Sequence, residues 1–228
     1  RILEEDPTVR LEKNSETKQT ILTAMGDTHI DYIIEKLTRK YGVDVVLRDM
    51  RIPYRETIRA TVEAEGKHKK QTGGHGQYGH VWIKFEPYPD GEFAFEENVF
   101  GGAVPRNFFP AVEKGLLEAM EEGVLAGYKV TNIKATLYDG SYHSVDSSEM
   151  AFKLAARLAF RKGVESAKPV LLEPIMNVEI LVPDAFMGDI IGDLNTKRGR
   201  VLGMEPSGNK QLIKAQVPLA EMARYTVD

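Results

Sequence analysis

A glycine-rich, cationic segment at residues 66–80 carries the most distinctive chemistry in the sequence. It reads GKHKKQTGGHGQYGH, with three lysines, three histidines and no acidic residue, although the whole chain has a net charge of −4. Lysines can neutralise phosphates, glycines let a backbone approach a ligand closely, and the side chains of Gln77 and Tyr78 can hydrogen-bond to or stack on bases and sugars. The segment therefore predicts RNA contact, and the alternative is a solvated hairpin loop.

A second polar loop at residues 138–148 reads YDGSYHSVDSS and precedes a predicted helix. By itself it indicates a turn with a helix N-cap, a common use of Ser and Asp. If strand pairing brings this loop beside residues 66–80, the two segments would form one polar, partly cationic tip. The residue types alone leave both interpretations open.

The sequence does not predict a catalytic centre. His143, Ser144 and Asp146 are the residue types of a hydrolase triad, but triad members normally converge from separate segments and these lie within four positions. The chain contains no G-x-x-x-x-G-K-[ST] phosphate loop, no G-x-S-x-G and no H-E-x-x-H. We therefore expect these 228 residues to have no catalytic activity and to bind no cofactor, and we rank a metabolic enzyme low.

A metal site is not predicted either. His68, His75 and His80 are spaced more widely than the pairs that usually bind zinc, and the chain has no cysteine. The lack of cysteine also excludes a disulfide framework and a thiol nucleophile. The charged opening does not read as a signal peptide, and no apolar run approaches the ~18–20 residues of a membrane helix. These features fit a cytoplasmic protein without a membrane partner.

The first predicted part, residues 1–55, is a β-hairpin followed by a helix and a strand. Thr28 and Asp31 have the spacing of a capping box, and apolar residues then recur at helical spacing. Gly42 is expected to end the helix, and residues 43–47 are predicted to form the next strand.

The second predicted part, residues 56–167, alternates like a half-buried sheet and contains two helices. Pro105 stands where the first helix can start, and Asp146 with Glu149 could cap the second. The second helix is expected to bury Leu154, Ala155 and Leu158. A basic stripe, which is either a solvated face or a nucleic-acid contact, consists of Lys153, Arg157 and Arg161.

The third predicted part, residues 168–228, has a strand, a helix and a hairpin. Asp184 is expected to cap the helix, Gly199 to follow its end, and a turn at 207–209 to join the next two strands. Pro218 would then open a further helix. Because the first and third parts share this plan, the pattern predicts an α+β, multi-domain chain with two small sandwiches flanking a middle domain.

Several long motifs resemble elongation factor G of bacteria. Those similar to its fourth domain are KHKKQTGGHGQYGHV at 67–81, YDGSYHSVDSSEMAFK at 138–153 and LEPIM at 172–176. Those similar to its fifth domain are MGDIIGDLN at 187–195 and VPLAEM at 217–222. Those similar to its third domain are EEDPT at 4–8 and MGDTH at 25–29. The resemblance covers nearly the whole chain in order.

This resemblance implies a translational GTPase that drives tRNA–mRNA translocation on the ribosome. Residues 1–55 would be a truncated ferredoxin-like third domain, 56–167 a fourth domain of the ribosomal protein S5 domain 2-like α/β type, and 168–228 a truncated ferredoxin-like fifth domain. GTP with Mg would bind to an N-terminal domain outside these residues. The implied partners are both ribosomal subunits with their rRNA and the tRNA–mRNA pair, and the implied state is a monomer.

In the family, the glycine-rich loop and the loop around His143 form the tip that reaches the decoding centre. The resemblance therefore implies that RNA is contacted by Lys69, Lys70, Gly73, Gly74, His75, Gly76, Gln77, Tyr78, His143, Ser144, Val145 and Asp146. Of these, the family match points most directly to Gly73, Gly74, Gln77, Tyr78 and His143.

A few positions differ from the usual family pattern. His75 stands where Arg is typical, Asp27-Thr28 replaces Glu-Leu, and Val9 replaces an aromatic residue. Exchanging Arg for His replaces a fixed cation with a titratable imidazole. These differences suggest a diverged second copy, whose task could be translocation, ribosome recycling or an accessory role. A tetracycline ribosomal-protection factor and a stand-alone RNA-binding module are two further candidates.

Overall fold

The computed structural model describes residues 2–14, 16–71, 76–222 and 225. It divides into a middle unit, Tyr54–Leu172, and a terminal unit that combines Arg1–Pro53 with Glu173–Asp228. Helices and strands occur in both units, so the prediction of a mixed, multi-domain α+β chain is confirmed. Within the described residues, none of the helices has the length and apolar character needed to cross a bilayer.

The elements follow the chain in this order. The earlier ones are α1 (Ile2–Glu5), β1 (Arg10–Lys13), β2 (Thr20–Thr23), α2 (Asp27–Tyr41), β3 (Arg55–Ile58), β4 (Val62–Lys70), β5 (Gln77–Pro87) and β6 (Phe93–Glu97). The later ones are α3 (Phe109–Glu122), β7 (Ile133–Ser141), α4 (Glu149–Ser166), β8 (Pro169–Leu172), β9 (Ile175–Pro183), α5 (Met187–Thr196), β10 (Arg200–Ser207), β11 (Lys210–Pro218) and α6 (Leu219–Met222).

The N-terminal part of the terminal unit contains the predicted hairpin and helix. Strands β1 and β2 pair antiparallel, and the Asn14 side chain closes their turn by accepting the N–H groups of Glu16 and Thr17. Helix α2 ends at Gly42, which has φ +66° and donates its N–H to the Thr38 carbonyl. The left-handed conformation explains why glycine stands there.

The predicted capping box at the start of α2 is wrong. Gly26 is the N-cap, and no side chain caps the helix. The Gly26 carbonyl already accepts the N–H groups of His29 and Ile30. The helix therefore begins before the expected cap, and Thr28 and Asp31 lie within its first turns.

The predicted strand at 43–47 is also wrong, since this described segment is not assigned to a strand. A strand needs a neighbour for its ladder, and apolar alternation alone does not supply one. Further along, the Gln19 side chain binds the backbone on both sides: its Nε2 donates to the Asp49 carbonyl, and its Oε1 accepts the Arg51 N–H. The side-chain amide of Gln19 thus holds the backbone at residues 49–51.

The middle unit is built on a four-stranded sheet of order β4-β5-β7-β6. Strands β6 and β7 run parallel, and the other neighbours are antiparallel. Helix α4 packs on β4 and β5, and α3 packs on α4, around one hydrophobic core. A second pairing joins β3 to β8, so Pro169–Leu172 extends the middle unit.

Small residues allow α4 to lie directly on the β4–β5 hairpin. A Cβ on Gly66 would lie 2.0 Å from the Ala155 carbonyl oxygen, and a Cβ on Gly79 would lie 2.3 Å from that of Ala151. Ala155 is buried as expected, but Leu158 is 48% exposed, contrary to the sequence-based prediction. The face of α4 that meets the sheet is therefore lined by alanines.

Two residues of the basic stripe on α4, Lys153 and Arg157, are paired with acidic residues of α3. Lys153 Nζ lies 2.6 Å from Glu118 Oε1, and Arg157 binds both carboxylate oxygens of Glu122 at 2.6 and 2.8 Å. This pairing favours a structural role for these two cations over a nucleic-acid contact.

The C-terminal part of the terminal unit is an antiparallel sheet of order β10-β11-β9 with α5 beside it. Gly208, at φ +65°, forms the predicted turn between β10 and β11. Asp184 does not cap α5, because a 3-10 turn at Asp184–Phe186 precedes the helix and no side chain caps either. At the helix end, Arg198 takes the left-handed conformation and the Gly199 N–H donates to the Leu194 carbonyl at 2.7 Å.

Candidate nucleic-acid interface

The two loops singled out in the sequence meet at one end of the middle unit. The Tyr78 N–H donates to the Asp146 carbonyl at 2.9 Å, and Ser147 Oγ donates to the Tyr78 carbonyl at 2.9 Å. Tyr78 and Ser147 form an isolated parallel bridge, so the second loop extends the edge of β5. The structure thus brings together the β4–β5 hairpin and the loop after β7, a region we call the tip.

Asp146 fastens the two loops to each other. Its Oδ1 accepts the Gly76 N–H at 3.0 Å. A Cβ on Gly76 would lie 2.9 Å from Asp146 Cγ, so glycine permits this close approach. Asp146 is therefore not the N-cap of α4, contrary to the sequence-based prediction; Ser148 holds that position and accepts the Ala151 N–H.

The environment of His143 determines which ring nitrogen faces outward. Its Nδ1 accepts the N–H groups of Val145 and Asp146 at 3.3 and 3.2 Å. Because a ring nitrogen that accepts carries no proton, the neutral ring carries its proton on Nε2. Nδ1 also lies 3.4 Å from Asp146 Oδ2, but the two converging N–H groups make the acceptor role the better account. With a side chain 54% exposed, His143 can donate from Nε2 to an external acceptor.

The Tyr78 ring has a cation and the His143 ring as neighbours. Lys67 Nζ is 5.9 Å from the centroid of the Tyr78 ring, and the His143 ring centroid is 6.4 Å away at a 54° tilt. The Tyr78 hydroxyl lies 2.7 Å from Ser141 Oγ. Its ring is therefore held at the edge as well as through its backbone.

Several further residues of the tip are exposed to solvent. Lys69 and Lys70 are exposed at the end of β4, opposite Tyr78 and Gln77 in the hairpin. Gln77 Oε1 lies 2.8 Å from His68 Nε2, an orientation that leaves its amide N–H groups for other partners. The loop also exposes Ser144 and Val145.

Three predicted site residues, Gly73, Gly74 and His75, lie outside the described residues, and their contribution stays a prediction. The sequence-based selection also missed Tyr142, which is 51% exposed beside His143. It also missed His80 and Ser141, which lie directly opposite each other in β5 and β7. A period-two reading predicts which residues of one strand share a face, but not this pairing between strands.

A second carboxylate in the middle unit also holds a loop, but inside the protein. Glu56 is fully buried, and its carboxylate accepts four backbone N–H groups at 2.7–3.0 Å. The donors are Val124, Leu125, Ala126 and Tyr128. Burial by itself raises the pKa of Glu56, but the four N–H groups outweigh it and lower the pKa below its ordinary value.

Comparison with known families accounts for nearly the whole chain in three segments. The model for elongation factor G, domain III, matches residues 1–49, and the model for its domain IV matches residues 50–168. The model for the elongation factor G C-terminus matches residues 170–228.

Individual relatives agree with these matches. The chain is 53% identical over 228 residues to an elongation factor G-like protein of Thermotoga maritima, covering 99% of this chain and 33% of the relative. A crystal structure from Thermus thermophilus superposes with a TM-score of 0.88 at 48% identity, over 98% of this chain and 34% of that one. The chain thus spans about a third of the length of these relatives.

Proposed function

Because the chain belongs to the elongation factor G family, we propose that it forms the ribosome-binding C-terminal part of a translational GTPase. This protein would promote tRNA–mRNA translocation in the cytoplasm and contact both ribosomal subunits as a monomer. GTP and Mg would bind outside these residues, whose sequence contains no phosphate loop.

The observation that carries this proposal is the joining of two polar loops through Tyr78 and Asp146. This junction collects exposed cations and hydrogen-bond donors at one end of the middle unit. RNA recognition needs these groups together, since cations meet phosphates while donors meet sugars and base edges. A simple turn would not require two loops, 70 residues apart in sequence, to share hydrogen bonds.

In this proposal each part of the tip has its own role. Lys69 and Lys70 approach phosphates, and His143 donates from Nε2 to a phosphate or ribose oxygen. Gln77 offers its amide N–H groups, Tyr78 supports His143 from behind, and Asp146 holds the loops together. Gly73, Gly74, Gly76 and His75, together with Ser144 and Val145, would form the surface that lies against the tRNA–mRNA duplex.

The central test is His143→Ala in the full-length protein that carries these residues. We expect tRNA movement on the ribosome to slow by about tenfold or more, on the order of 1.4 kcal/mol in the barrier. Ribosome-stimulated GTP turnover should stay within about twofold, because the change lies outside the GTP-binding part.

His143→Gln is the matched control, since its amide nitrogen can donate from nearly the same place as Nε2. We expect it to retain most of the tRNA movement that His143→Ala loses. A melting curve for each variant separates loss of contact from loss of fold. Normal tRNA movement in His143→Ala would contradict the proposal.

Ribosome recycling is the second candidate. It is favoured by the departures at Val9, Asp27, Thr28 and His75, and by the similarity to a relative that is itself named elongation factor G-like. Translocation and subunit-splitting assays on the same full-length protein would separate the two. Splitting activity without tRNA movement would decide for recycling.

A further inference from the structure

Four polar side chains form a continuous chain of hydrogen bonds beneath the tip. Tyr78 Oη lies 2.7 Å from Ser141 Oγ, which lies 2.7 Å from His80 Nδ1. His80 Nε2 in turn lies 2.9 Å from Glu65 Oε1. We call these residues the relay; they belong to three neighbouring strands, β4, β5 and β7.

The sheet register places the relay on the face away from α4. His80 is directly opposite Ser141 in the β5–β7 pair, and Tyr78 lies two residues before it on the same face. Gly66 and Gly79, which follow Glu65 and Tyr78, have their missing side chains directed at α4. The neighbouring relay residues therefore point to the opposite side of the sheet.

The chemistry of the groups gives the relay a direction. An ionised carboxylate only accepts, so His80 donates from Nε2 to Glu65. Nδ1 of the neutral ring then accepts from the Ser141 hydroxyl. Ser141 Oγ keeps a lone pair for the Tyr78 hydroxyl, so each donor in the chain has its own acceptor.

Ser141, His80 and Glu65 have the residue types of a hydrolase triad, but the arrangement serves a different purpose. The Tyr78 hydroxyl covers Ser141 Oγ, which is already part-buried. A nucleophile needs an open approach to its substrate. The relay instead ends on an aromatic ring, and that ring faces His143.

We propose that Glu65, His80 and Ser141 are positioning residues that lock the Tyr78 ring and through it hold His143 for contact with RNA. This inference rests on the function proposed above. The backbone of Tyr78 is already bound to the second loop, so the relay restrains the part of the residue that is still free to rotate. The His143 ring then has a fixed neighbour on one side.

The first experiment compares Tyr78→Phe, Ser141→Ala and the double variant in the full-length protein. Each single change should slow tRNA movement roughly three- to tenfold, the effect of about one hydrogen bond. The double variant should be no slower than the slower single variant, because the tyrosine hydroxyl acts only through the serine. GTP turnover should stay within about twofold in all three.

Two further variants control this comparison. Ser141→Thr keeps the hydroxyl and should restore most of the rate. Ser166→Ala removes a hydroxyl that binds carbonyls of its own helix, those of Lys162 and Gly163, and should leave tRNA movement unchanged. A loss of rate in both Ser141→Thr and Ser166→Ala would overturn the inference.

A spectroscopic readout tests the relay without the ribosome. In nitrogen-15 spectra of the 228-residue chain, recorded at a pH where the His80 ring is neutral, its proton should lie on Nε2. Ser141→Ala should move the Nδ1 resonance towards that of an unbonded ring nitrogen and leave Nε2 in place. A His80 ring with its proton on Nδ1 would overturn the assigned direction.

The outcomes separate this inference from the proposed function. If His143→Ala slows tRNA movement while folded Tyr78→Phe and Ser141→Ala proteins move tRNA at the normal rate, the relay inference fails and the proposed function stands. Additive losses in the double variant would also overturn the relay. Normal movement in His143→Ala would overturn both.

Discussion

Two carboxylates in the middle unit hold distant loops by accepting backbone N–H groups, and they do so in opposite surroundings. Glu56 is fully buried and binds the loop after α3 through four N–H groups. Asp146 has a side chain 25% exposed and binds the hairpin through the N–H of Gly76. The same interaction serves as an internal anchor in one place and as a surface clasp in the other.

The difference shows how burial changes the consequence of losing one group. Around Glu56 water cannot replace the carboxylate, so its removal leaves buried N–H groups without acceptors. Around Asp146 water can take over part of the lost hydrogen bonding. We therefore expect Glu56 to control the free energy of unfolding of the middle unit, and Asp146 to control the local order of the tip.

The largest effect should come from removing the buried anchor. Glu56→Ala should lower the free energy of unfolding by roughly 3–5 kcal/mol, because several buried donors lose an ionised acceptor. Denaturant unfolding followed by circular dichroism would measure the loss. Glu97→Gln, a change at an exposed strand end, is the control and should stay within about 0.5 kcal/mol. A Glu56→Ala protein as stable as the control would contradict the anchor.

Lowering the pH should weaken the same anchor. The folded-state pKa of Glu56 lies below its ordinary value of 4.5, so its stabilising contribution is fully present above pH 4.5 and is lost as the pH falls through the folded pKa. Subtracting the unfolding profile of Glu56→Gln from that of the unaltered chain isolates this contribution. The difference should shrink below pH 4.5. A difference that grew in acid would reverse the assigned sign.

Ribosome binding through the exposed tip should depend on charge and salt, while the free energy of unfolding hardly changes. Lys69→Glu combined with Lys70→Glu should weaken ribosome binding and flatten the log–log salt dependence by roughly 1.5 to 2, since each phosphate contact contributes about 0.9. Arg161→Glu with Lys162→Glu makes the same charge change on exposed residues in the later part of α4. Equal flattening in both double variants would argue against a specific tip contact.

The smallest effect should come from removing the hydrogen bond between Asp146 and Gly76. Asp146→Ala removes the acceptor of the Gly76 N–H and should lower the local opening free energy there by about 1 kcal/mol. Amide hydrogen exchange should therefore speed up at Gly76, with little change in global unfolding. Asp146→Asn keeps an acceptor oxygen and should protect Gly76 nearly as well. Faster exchange throughout the middle unit would show that the clasp is a global anchor after all.

Local signals in the sequence predicted much of the framework. The helix end at Gly42 and the hairpin turn at Gly208 both depend on residues within a few positions of one another. The glycine-rich segment at 66–80 was also recognisable, because its charge and glycine content differ from the rest of the chain, whereas the loop at 138–148 was linked to RNA by the family resemblance. Their meeting at one end of the middle unit depended on strand pairing, which the sequence left conditional.

The residues themselves determined the turns, the helix ends and the cationic character of the glycine-rich loop, since these properties depend on near neighbours and side-chain type. Only the tertiary structure decided that Asp146 clasps Gly76 rather than capping α4, and that Glu56 is buried among N–H groups about 70 residues away. An acceptor binds whichever donor the packed chain brings within reach. Partners that far apart in sequence are selected by sheet register and helix packing, which no local pattern specifies.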